Sequence, residues 1–559
     1  MYSILMSEDA AITSTGNAPI YYGVNSLDER LCVANSLPYA IERSGQAVMG
    51  YSQLASSASV NNVQFMLNIP NLSTILDRHI YIRTTCTWTL SGINANAGAT
   101  FLSNADSHGA DCIWGQGMAF GPFPFQSMVQ TLTVTINQQP ITINLAECLP
   151  SLMRIFDKEV LAESCNETPC MLDFFQSYDT AFSAINTAYP SNVLGDASYA
   201  TALGPMKPRG SYTVTQIQDS ANGGTSASIT ATIIEPLLIS PFLIGHMNAN
   251  QQGMYGIQNI SFQFTMKPNN CRSIRVRPAF GNIRTCTLFS VSQTATYLDV
   301  TYVTPPSGSK LFLPARNEVP YVQVESQRTQ LSSVDAGDTE TYTSNDYQLS
   351  KLPDKVLISV RKRFPDQQCF DSDSQLPISK VSITFGGNSG IMASTSQQQL
   401  WQMAVRNGSN QSWEEFSGYT NIAGTSVPTC GSVVVLAFGR DIPITDPFTV
   451  PGSLGSFNFQ VSVDATNNTV AAAANGAGAG ADIADNTYEL FLVFLYGGIF
   501  VNELSTSSVV VGMIDKSTVE KVSGEDHQDQ NGVRRIYGGS FFSSMGKVLK
   551  GLKPLAKPA

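Results

Sequence analysis

The sequence predicts an all-β protein made of two tandem jelly-roll β-sandwiches, a double jelly roll, with short helices and a flexible C-terminal tail. Three observations lead to this fold class. Apolar and polar residues alternate with a period of two in many short segments, which is the pattern of strands with one buried face. Turns rich in glycine, proline and asparagine separate these segments, and helices are few. The 559 residues are also enough for two large domains.

The predicted strands are clearest in the first half of the chain. Residues 63–69 and 80–90 alternate between apolar and polar side chains. Residues 132–136 alternate as well, turn through residues 137–140 and resume at Ile141, which predicts a β-hairpin. The same pattern recurs further along, at residues 260–266, 381–385 and 457–463.

One helix is predicted in each half, at residues 146–155 and 394–405. Ser394 and Thr395 open the second helix, and both are residue types that cap helix N-termini. Each helix follows an alternating strand and an asparagine-containing turn, at an offset of about 250 residues between the halves. The two halves therefore share an organisation without being a sequence duplication.

The domain boundaries are predicted from composition. The proline-rich stretch TPPSGSK at residues 304–310 is typical of a joint between two domains. The acidic, glutamine-rich stretch at residues 523–531 is typical of a flexible linker. The predicted parts are an N-terminal arm (1–54), a first jelly roll (55–305), a second jelly roll (306–515), and a linker with a basic amphipathic tail (516–559).

The longest apolar run, residues 490–501, is interrupted by Gly497 and Gly498. It is shorter than the roughly 20 residues that a membrane-spanning helix needs. The run therefore predicts a buried pair of strands, and no transmembrane segment is expected.

The composition favours a subunit that packs against neighbours. Charged residues are 13% of the chain, about half of the roughly 25% typical of soluble domains. A surface with so few charges gives little repulsion between copies. The net charge of -11 argues against nucleic-acid binding by the whole chain, although residues 532–559 carry only basic charges.

Nothing in the sequence indicates an enzyme, a cofactor or a metal site. The chain has four histidines and none of the motifs HExxH, GxSxG, GxxxxGK[ST] or GxGxxG. Its ten cysteines form no CxxC pair, and Cys86 and Cys286 fall inside strand patterns as small hydrophobic residues. Cys165 and Cys170 have no histidine nearby. We therefore expect reduced thiols and no catalytic residue.

The remaining charged groups are interpreted as structural. His79 lies at the start of a strand, where a structural role is favoured over catalysis. Asp77 with Arg78, and separately Asp441, are expected in ion pairs at strand ends, since no second carboxylate accompanies either. The basic triplet 361–363 could contact nucleic acid, but a solvated cluster at a strand end is the favoured interpretation.

Several segments resemble the double jelly-roll major capsid proteins of polinton-like viruses and virophages, a lineage related to adenovirus hexon. The segments are STILDRHIYIRTTCTWTLSG and FGPFPFQSMVQTLTVTINQQPITIN in the first half, and SKVSITFGGNSGIMASTSQQQLWQM, GSVVVLAFGRDIPI and FNFQVSVD in the second. The resemblance implies a capsid subunit that forms pseudo-hexagonal trimers and an icosahedral shell around the genome. It also implies penton and minor capsid proteins as partners, and a place in the virion after assembly inside the infected host cell.

A second resemblance lies in the tail, where residues 536–540 read IYGGS. The maturation proteases of adenovirus type, which are cysteine proteases, cut after an apolar residue, any residue and two glycines. Gly538, Gly539 and Ser540 match that pattern, so we expect a viral protease to cut between Gly539 and Ser540. The alternative is an ordinary flexible hinge before a helix.

The tail beyond this site is basic and amphipathic. Apolar residues fall on one side of a helical pattern and lysines on the other, which suits contact with the genome or with an anionic internal membrane. Two glycines and a proline weaken the helix, so a disordered basic tail is the alternative. The basic residues of this segment are Arg534, Arg535, Lys547, Lys550, Lys553 and Lys557.

Two other functions stay open at this point. Jelly rolls also serve as receptor-binding or carbohydrate-binding domains, so a viral spike or a lectin-like sandwich is one alternative. An icosahedral RNA-virus coat protein with a shell domain and a protruding domain is the other.

Overall fold

The fold is taken from a computed structural model. It describes residues 47–69, 71–91, 118–156, 172–176, 213–219, 226–242, 253–269, 271–276, 285–304, 316–367, 369, 371–422, 425–446, 449–468, 487–503 and 505–512.

The first half of the described chain is built almost entirely of strands. They are β1 (Ala47–Leu54), β2 (Ser57–Ala58), β3 (Asn62–Asn68), β4 (Ile75–Leu76), β5 (Tyr81–Ser91), β6 (Met118–Phe120), β7 (Val129–Ile136), β8 (Gln139–Ile143), β9 (Thr213–Asp219), β10 (Ser226–Pro236), β11 (Asn259–Met266), β12 (Ile274–Val276), β13 (Thr285–Val291) and β14 (Tyr297–Thr304).

Twelve of these strands form two antiparallel sheets that face each other, and β6 pairs with β12 in a separate two-stranded sheet. Sheet 1 has the order β1-β14-β5-β10-β9, with β13 added to β5 and β4 added to β14. Sheet 2 has the order β2-β3-β11-β7-β8. The main strands β1, β3, β5, β7, β8, β10, β11 and β14 alternate between the two sheets along the chain, except at the β7–β8 hairpin. This is the topology of a jelly roll.

The second half repeats this arrangement with its own strands. They are β15 (Arg316–Ser333), β16 (Thr339–Thr343), β17 (Tyr347–Lys351), β18 (Lys355–Lys362), β19 (Ile378–Phe385), β20 (Asn388–Ile391), β21 (Tyr419–Ile422), β22 (Thr425–Pro428), β23 (Val434–Ala437), β24 (Leu454–Thr466), β25 (Thr487–Glu503) and β26 (Thr506–Val511).

Sheet 3 has the order β15-β25-β18-β23 with β26 added to β25, and sheet 4 has the order β16-β24-β19-β20 with β17 added to β24. Sheet 3 corresponds strand by strand to β1-β14-β5-β10 of sheet 1. Sheet 4 corresponds in the same way to β3-β11-β7-β8 of sheet 2. The prediction of an all-β double jelly roll is therefore confirmed.

The alternating pattern explains the core between sheets 1 and 2. In β5, the inward-facing Ile82, Thr84, Cys86, Trp88 and Leu90 are fully buried, while the threonines at 85, 87 and 89 face the other way and are only partly buried. A strand turns successive side chains to opposite faces, so such a sequence buries one face only. Paired β strands of this kind make the two sandwich cores.

Helices are short and lie where the sequence places them. Helix α1 (Leu145–Leu152) continues into a 3-10 turn at Met153–Ile155. Helix α2 (Gln397–Arg406) begins at the N-cap Ser396, whose side chain accepts from the Gln399 backbone N–H. The predicted start at residue 394 was therefore three residues too early, and the cap is Ser396 rather than Ser394 or Thr395. Each of these three residues has a glutamine three positions later, so the sequence pattern of the capping box did not distinguish them. Helix α3 (Trp413–Ser417) was not predicted.

The predicted hairpin is confirmed. Strands β7 and β8 pair through a two-residue turn at Asn137 and Gln138, both of which have positive φ. Such a turn matches the right-handed twist of the strands, and asparagine tolerates it well.

The predicted pair of strands at residues 490–501 is wrong, because β25 runs through this segment without a turn. Gly497 stays in the strand, and its N–H donates to Asp354 Oδ2 at 2.7 Å. At Gly498, an added Cβ would lie 2.5 Å from the Val510 backbone oxygen of β26. The glycines thus allow a close approach between strands rather than a reversal of the chain.

The structure can be compared with the predicted domain limits at two places, the start of the first jelly roll and the joint between the jelly rolls. Strand β1 pairs along its whole length with β14, so residues 47–54 are part of sheet 1. Most of the predicted joint at residues 304–310 lies outside the described residues. Among the described residues, no helix is long and apolar enough to cross a membrane.

Candidate functional site: the junction of the jelly rolls and the exposed sheets

Strand β25, at the centre of sheet 3, is buried on both faces. On one face Phe494 contacts Phe459 of sheet 4, with ring centroids 5.5 Å apart. On the other face the Arg361 guanidinium lies 3.6 Å from the Phe491 ring centroid, and Arg361 Nη1 donates to the backbone oxygen of Glu147 in α1 at 2.6 Å. The outer face of sheet 3, in the second jelly roll, therefore packs against α1 of the first jelly roll.

Arg361 itself is sealed into this junction. Its Nε donates to Glu489 Oε1 at 2.8 Å, and both side chains are almost fully buried. Lys362 pairs with Asp371 at 3.1 Å. The interpretation of residues 361–363 as a solvated cluster is therefore wrong for Arg361, and its burial rules out contact with nucleic acid. The reason is that β18 lies inside sheet 3 beneath α1, and not at a free strand end.

Three more arginines of the first half meet carboxylates of the second. Arg154 Nη1 lies 3.0 Å from Glu415 Oε1, and Arg272 Nη1 lies 3.0 Å from Asp373 Oδ1. Arg275 Nη2 lies 2.9 Å from Asp373 Oδ2. All three guanidinium groups are buried, so each depends on its partner for charge neutralisation.

The electrostatics of this cluster favour the ionised carboxylate. Burial alone would raise the pKa of Asp373, but the positive charges of Arg275 and Arg272 outweigh burial and lower it. Asp373 therefore stays charged throughout the neutral range and holds two arginines of the other half.

A polar contact made by the hairpin turn adds a further tie. Asn137 Nδ2 donates to the backbone oxygen of Gly256 at 3.0 Å and to Ser507 Oγ at 3.1 Å. Ser507 belongs to β26 of the second half. Asn137, predicted only as a turn residue, thus also links the halves.

The buried arginines were not predicted from the sequence. Arg154 is flanked by apolar residues in LMRIF, and Arg275 lies between Ile274 and Val276 in CRSIRV, whereas Arg272 lies between Cys271 and Ser273. An isolated cation inside an apolar segment is the signal that could have found them, because such a charge is buried only when it has a partner.

Glu235 is a buried carboxylate in the first sandwich. It accepts from the backbone N–H groups of Phe125 at 2.7 Å and Gln126 at 2.9 Å. Burial raises its pKa to about 8, and the two hydrogen bonds only partly oppose that effect. This glutamate therefore pins the 3-10 turn at Gln126–Met128 to β10.

The thiols within the described ranges are enclosed in the core. Burial raises the pKa of Cys86 and of Cys430 to about 12, and that of Cys148 to about 11. Thiols of this kind are poor nucleophiles. Cys165 and Cys170 lie outside the described residues. The free, buried cysteines are Cys86, Cys148, Cys271, Cys286, Cys369 and Cys430.

The ion pair predicted for Asp441 is found, whereas Asp77, predicted with Arg78, pairs with His79. His79 Nδ1 lies 2.7 Å from Asp77 Oδ1, so the histidine has a local structural partner. Arg406 Nη2 donates to Asp441 Oδ1 at 2.7 Å, which confirms the ion pair expected of Asp441. Arg78 is buried and donates from Nη1 to a backbone oxygen at 3.3 Å. Within the described ranges, no group of three or more His, Cys, Asp or Glu could hold a metal ion.

The candidate tail sites lie outside the described residues. They are the cleavage residues Gly538, Gly539 and Ser540 and the basic residues Arg534, Arg535, Lys547, Lys550, Lys553 and Lys557.

The outer faces of sheets 1 and 4 carry cross-strand pairs of hydroxyl groups beside a few charged residues. On sheet 1, the hydroxyl oxygens of Thr87 and Thr230 lie 2.8 Å apart across β5 and β10. On sheet 4, those of Thr339 and Thr466 lie 2.7 Å apart. These cross-strand pairs make the surface polar without adding ionic repulsion. They agree with the low fraction of charged residues in the chain.

Comparison with known proteins covers both halves of the chain. The family described as Sputnik virophage major capsid protein 1st domain matches residues 23–311. The family described as major capsid protein V20 C-terminal domain matches residues 322–498. The chain is 29% identical over 557 residues to the putative capsid protein V20 of Sputnik virophage, covering 95% of this chain and 87% of that protein.

Solved structures agree with these matches. The cryo-EM structure of the Sputnik virophage is similar with a TM-score of 0.72 at 25% identity, over 94% of this chain and all of that chain (100%). The mavirus major capsid protein shares the fold, with a TM-score of 0.64 at 14% identity, over 93% of this chain and 100% of that one. The chain therefore belongs to the Sputnik virophage major capsid protein family, and it is a major capsid protein of the virophage type and a component of the virion.

Proposed function

We propose that this major capsid protein acts only by self-assembly, first as a homotrimer of pseudo-hexagonal outline and then as an icosahedral shell around the genome. The observation that carries the proposal is the fusion of two similar sandwiches into one body through the doubly buried β25 and the Arg361 contact. Three such subunits contain six similar jelly rolls, which suits a trimer with a six-sided outline. The proposed role requires no catalytic residue and no cofactor.

The proposed parts of the subunit are an arm (1–54), two sandwiches (55–305 and 306–515) and a tail (516–559). Strand β1 supports moving the start of the first sandwich to residue 47. Penton and minor capsid proteins would complete the shell at positions that a six-sided block does not fill.

For the tail, we propose processing by a viral cysteine protease between Gly539 and Ser540. Residues 532–559 carry six basic residues and no acidic one, so before processing this segment would contact phosphate groups of the genome or of an internal membrane. Cleavage would leave Arg534 and Arg535 on the subunit and place the four lysines on the released piece. Mass spectrometry of the protein from purified particles tests this: a C-terminus at Gly539 supports processing, and an intact Ala559 contradicts it.

The assembly proposal is tested on the purified full-length chain by mass photometry and negative-stain electron microscopy across salt and pH. Trimers of hexagonal outline, or closed particles, are the expected result. A monomer or dimer under every condition would overturn the proposal and favour the spike or lectin-like alternative, which stays a small oligomer.

A further inference from the structure

Among sheets 1 to 4 as described, sheet 2 is the one whose strands contain no charged residue. Its strands read SA, NVQFMLN, VQTLTVTI, QPITI and NISFQFTM. Sheets 1 and 4 differ, because the Arg83 pair with Asp299 and the Lys380 pair with Asp464 lie on them. A surface that must stay in water is normally about a quarter to a third charged. The outer face of sheet 2 thus departs from that rule.

The outward residues of sheet 2 form a regular neutral grid. Across the sheet, the strand register aligns one row made of Gln64, Gln263, Thr133 and Thr142. In the neighbouring row, Met66 is 58% exposed, although a large apolar side chain on an open face gains nothing from water. The grid therefore combines a row of uncharged polar side chains with one exposed apolar side chain, that of Met66.

The hydroxyl groups of this grid already have partners inside the sheet. The Thr133 and Thr142 hydroxyl oxygens lie 3.3 Å apart, and the Thr131 hydroxyl donates to Asn144 Oδ1 at 3.3 Å. Covering a polar group is unfavourable mainly when its hydrogen bonds are lost. These three hydroxyls keep theirs, so covering this part of the face does not break the hydrogen bonds that they make.

We infer that the outer face of sheet 2 packs against a second copy of this chain in the assembled capsid. The inference rests on the proposed self-assembly and specifies one surface for it. A nucleic acid or an anionic membrane would need cations, which the strands of sheet 2 lack. A neutral face meets a low-charge neighbour without repulsion, and a chain with 13% charged residues provides such a neighbour.

The size of the face fits part of an interface. Four strands about 4.8 Å apart and about seven residues long, at about 3.4 Å per residue, cover about 450 Å². A standard interface buries about 800 Å² on each partner. The face of sheet 2 therefore supplies roughly half of one such contact, and other surfaces of the subunit complete it.

The test places a charge at the centre of the grid. Gln263→Lys and Met66→Lys are made separately in the full-length chain, with Gln327→Lys as the matched control. Gln327 is exposed on β15 next to Arg328, where a charge is already tolerated. Circular dichroism melting checks that each variant folds, and mass photometry with negative-stain microscopy measures assembly.

The expected result is that both sheet 2 variants fold and melt like the wild type but need at least about tenfold more protein to assemble, because the new charge is buried without a partner. The control assembles normally. Sheet 2 variants that assemble as well as the wild type, or a control that is equally impaired, overturn the inference and leave the proposed function standing. A wild-type chain that never assembles overturns both.

Discussion

Arg361 and Glu489 form an ion pair, with 2.8 Å between Nε and Oε1, that is enclosed between the two jelly rolls. Neighbouring strands β18 and β25 supply the two residues in direct register. The pair thus lies inside sheet 3, and Arg361 also reaches the first sandwich through the Glu147 backbone oxygen. The Arg361 side chain therefore neutralises the charge of a residue on the neighbouring strand and also contacts the first jelly roll.

Arg361→Ala is expected to lower the free energy of unfolding by about 3–5 kcal/mol, because the Glu489 carboxylate is left buried and unpaired. Arg328→Ala is the control. Its partner Glu147 lies 3.5 Å away and Arg328 is largely exposed, so a loss of about 0–1 kcal/mol is expected. Urea denaturation measures both values, and equal losses would contradict the enclosed pair.

Glu235 is expected to make stability depend on pH. Its pKa is raised from 4.5 to about 8 in the folded state, so the folded protein keeps a proton that the unfolded chain has already released. The resulting stabilisation is complete below about pH 4.5 and is lost as the pH rises towards 8, by at most about 1.4 kcal/mol per pH unit.

Glu235→Gln imitates the protonated form and should remove this contribution. Urea denaturation at several pH values between about 5 and 8 gives the difference in unfolding free energy between the wild type and the variant. We expect the wild type to lose stability relative to the variant as the pH rises. Parallel curves would show that Glu235 is not protonated in the folded state.

Gly498→Ala should destabilise the protein by about 1–3 kcal/mol, the usual effect of overfilling a packed site. The new Cβ would lie 2.5 Å from both the Val510 backbone oxygen and Val511 Cγ2. Gly50→Ala in β1 is the control, since a Cβ there meets nothing within 4 Å. Thermal melting compares the two, and a harmless Gly498→Ala would mean that β26 does not lie this close to β25.

The buried thiols should resist alkylation in the folded protein. A pKa of about 12 at Cys86 and Cys430 leaves about a thousandfold less thiolate than an ordinary thiol at neutral pH. Residue-resolved mass spectrometry after iodoacetamide treatment, with urea-unfolded protein as the reference, measures the protection. Rapid labelling of either cysteine without urea would contradict the enclosed core.

Much of the fold could be predicted because one-sided burial leaves a direct trace in the sequence. The alternation in β5 and β7, the turn at Asn137 and the segment of α1 all follow from local periodicity and turn chemistry. Tandem sandwiches then follow from many such strands with few helices.

The failures share a physical cause, which is burial on two sides. Strand β25 is apolar on both faces, so periodicity could not show that it continues through Gly497 and Gly498. Arg361 appeared to be solvated because its partners, Glu489 and the Glu147 backbone, are distant in the chain. The neutral face of sheet 2 is present in the strand sequences, but only the register assembles it into one surface.

Because β25 has protein on both of its faces, neither sandwich has a complete boundary of its own. If the second half were expressed alone, Phe491 would be exposed to water, and Arg361 Nη1 would lose the Glu147 backbone oxygen as its acceptor. An exposed apolar sheet face of this kind promotes aggregation. Heat or denaturant should consequently melt the two jelly rolls in one cooperative transition. In the proposed shell, the described part of the two jelly rolls would then behave as one rigid unit.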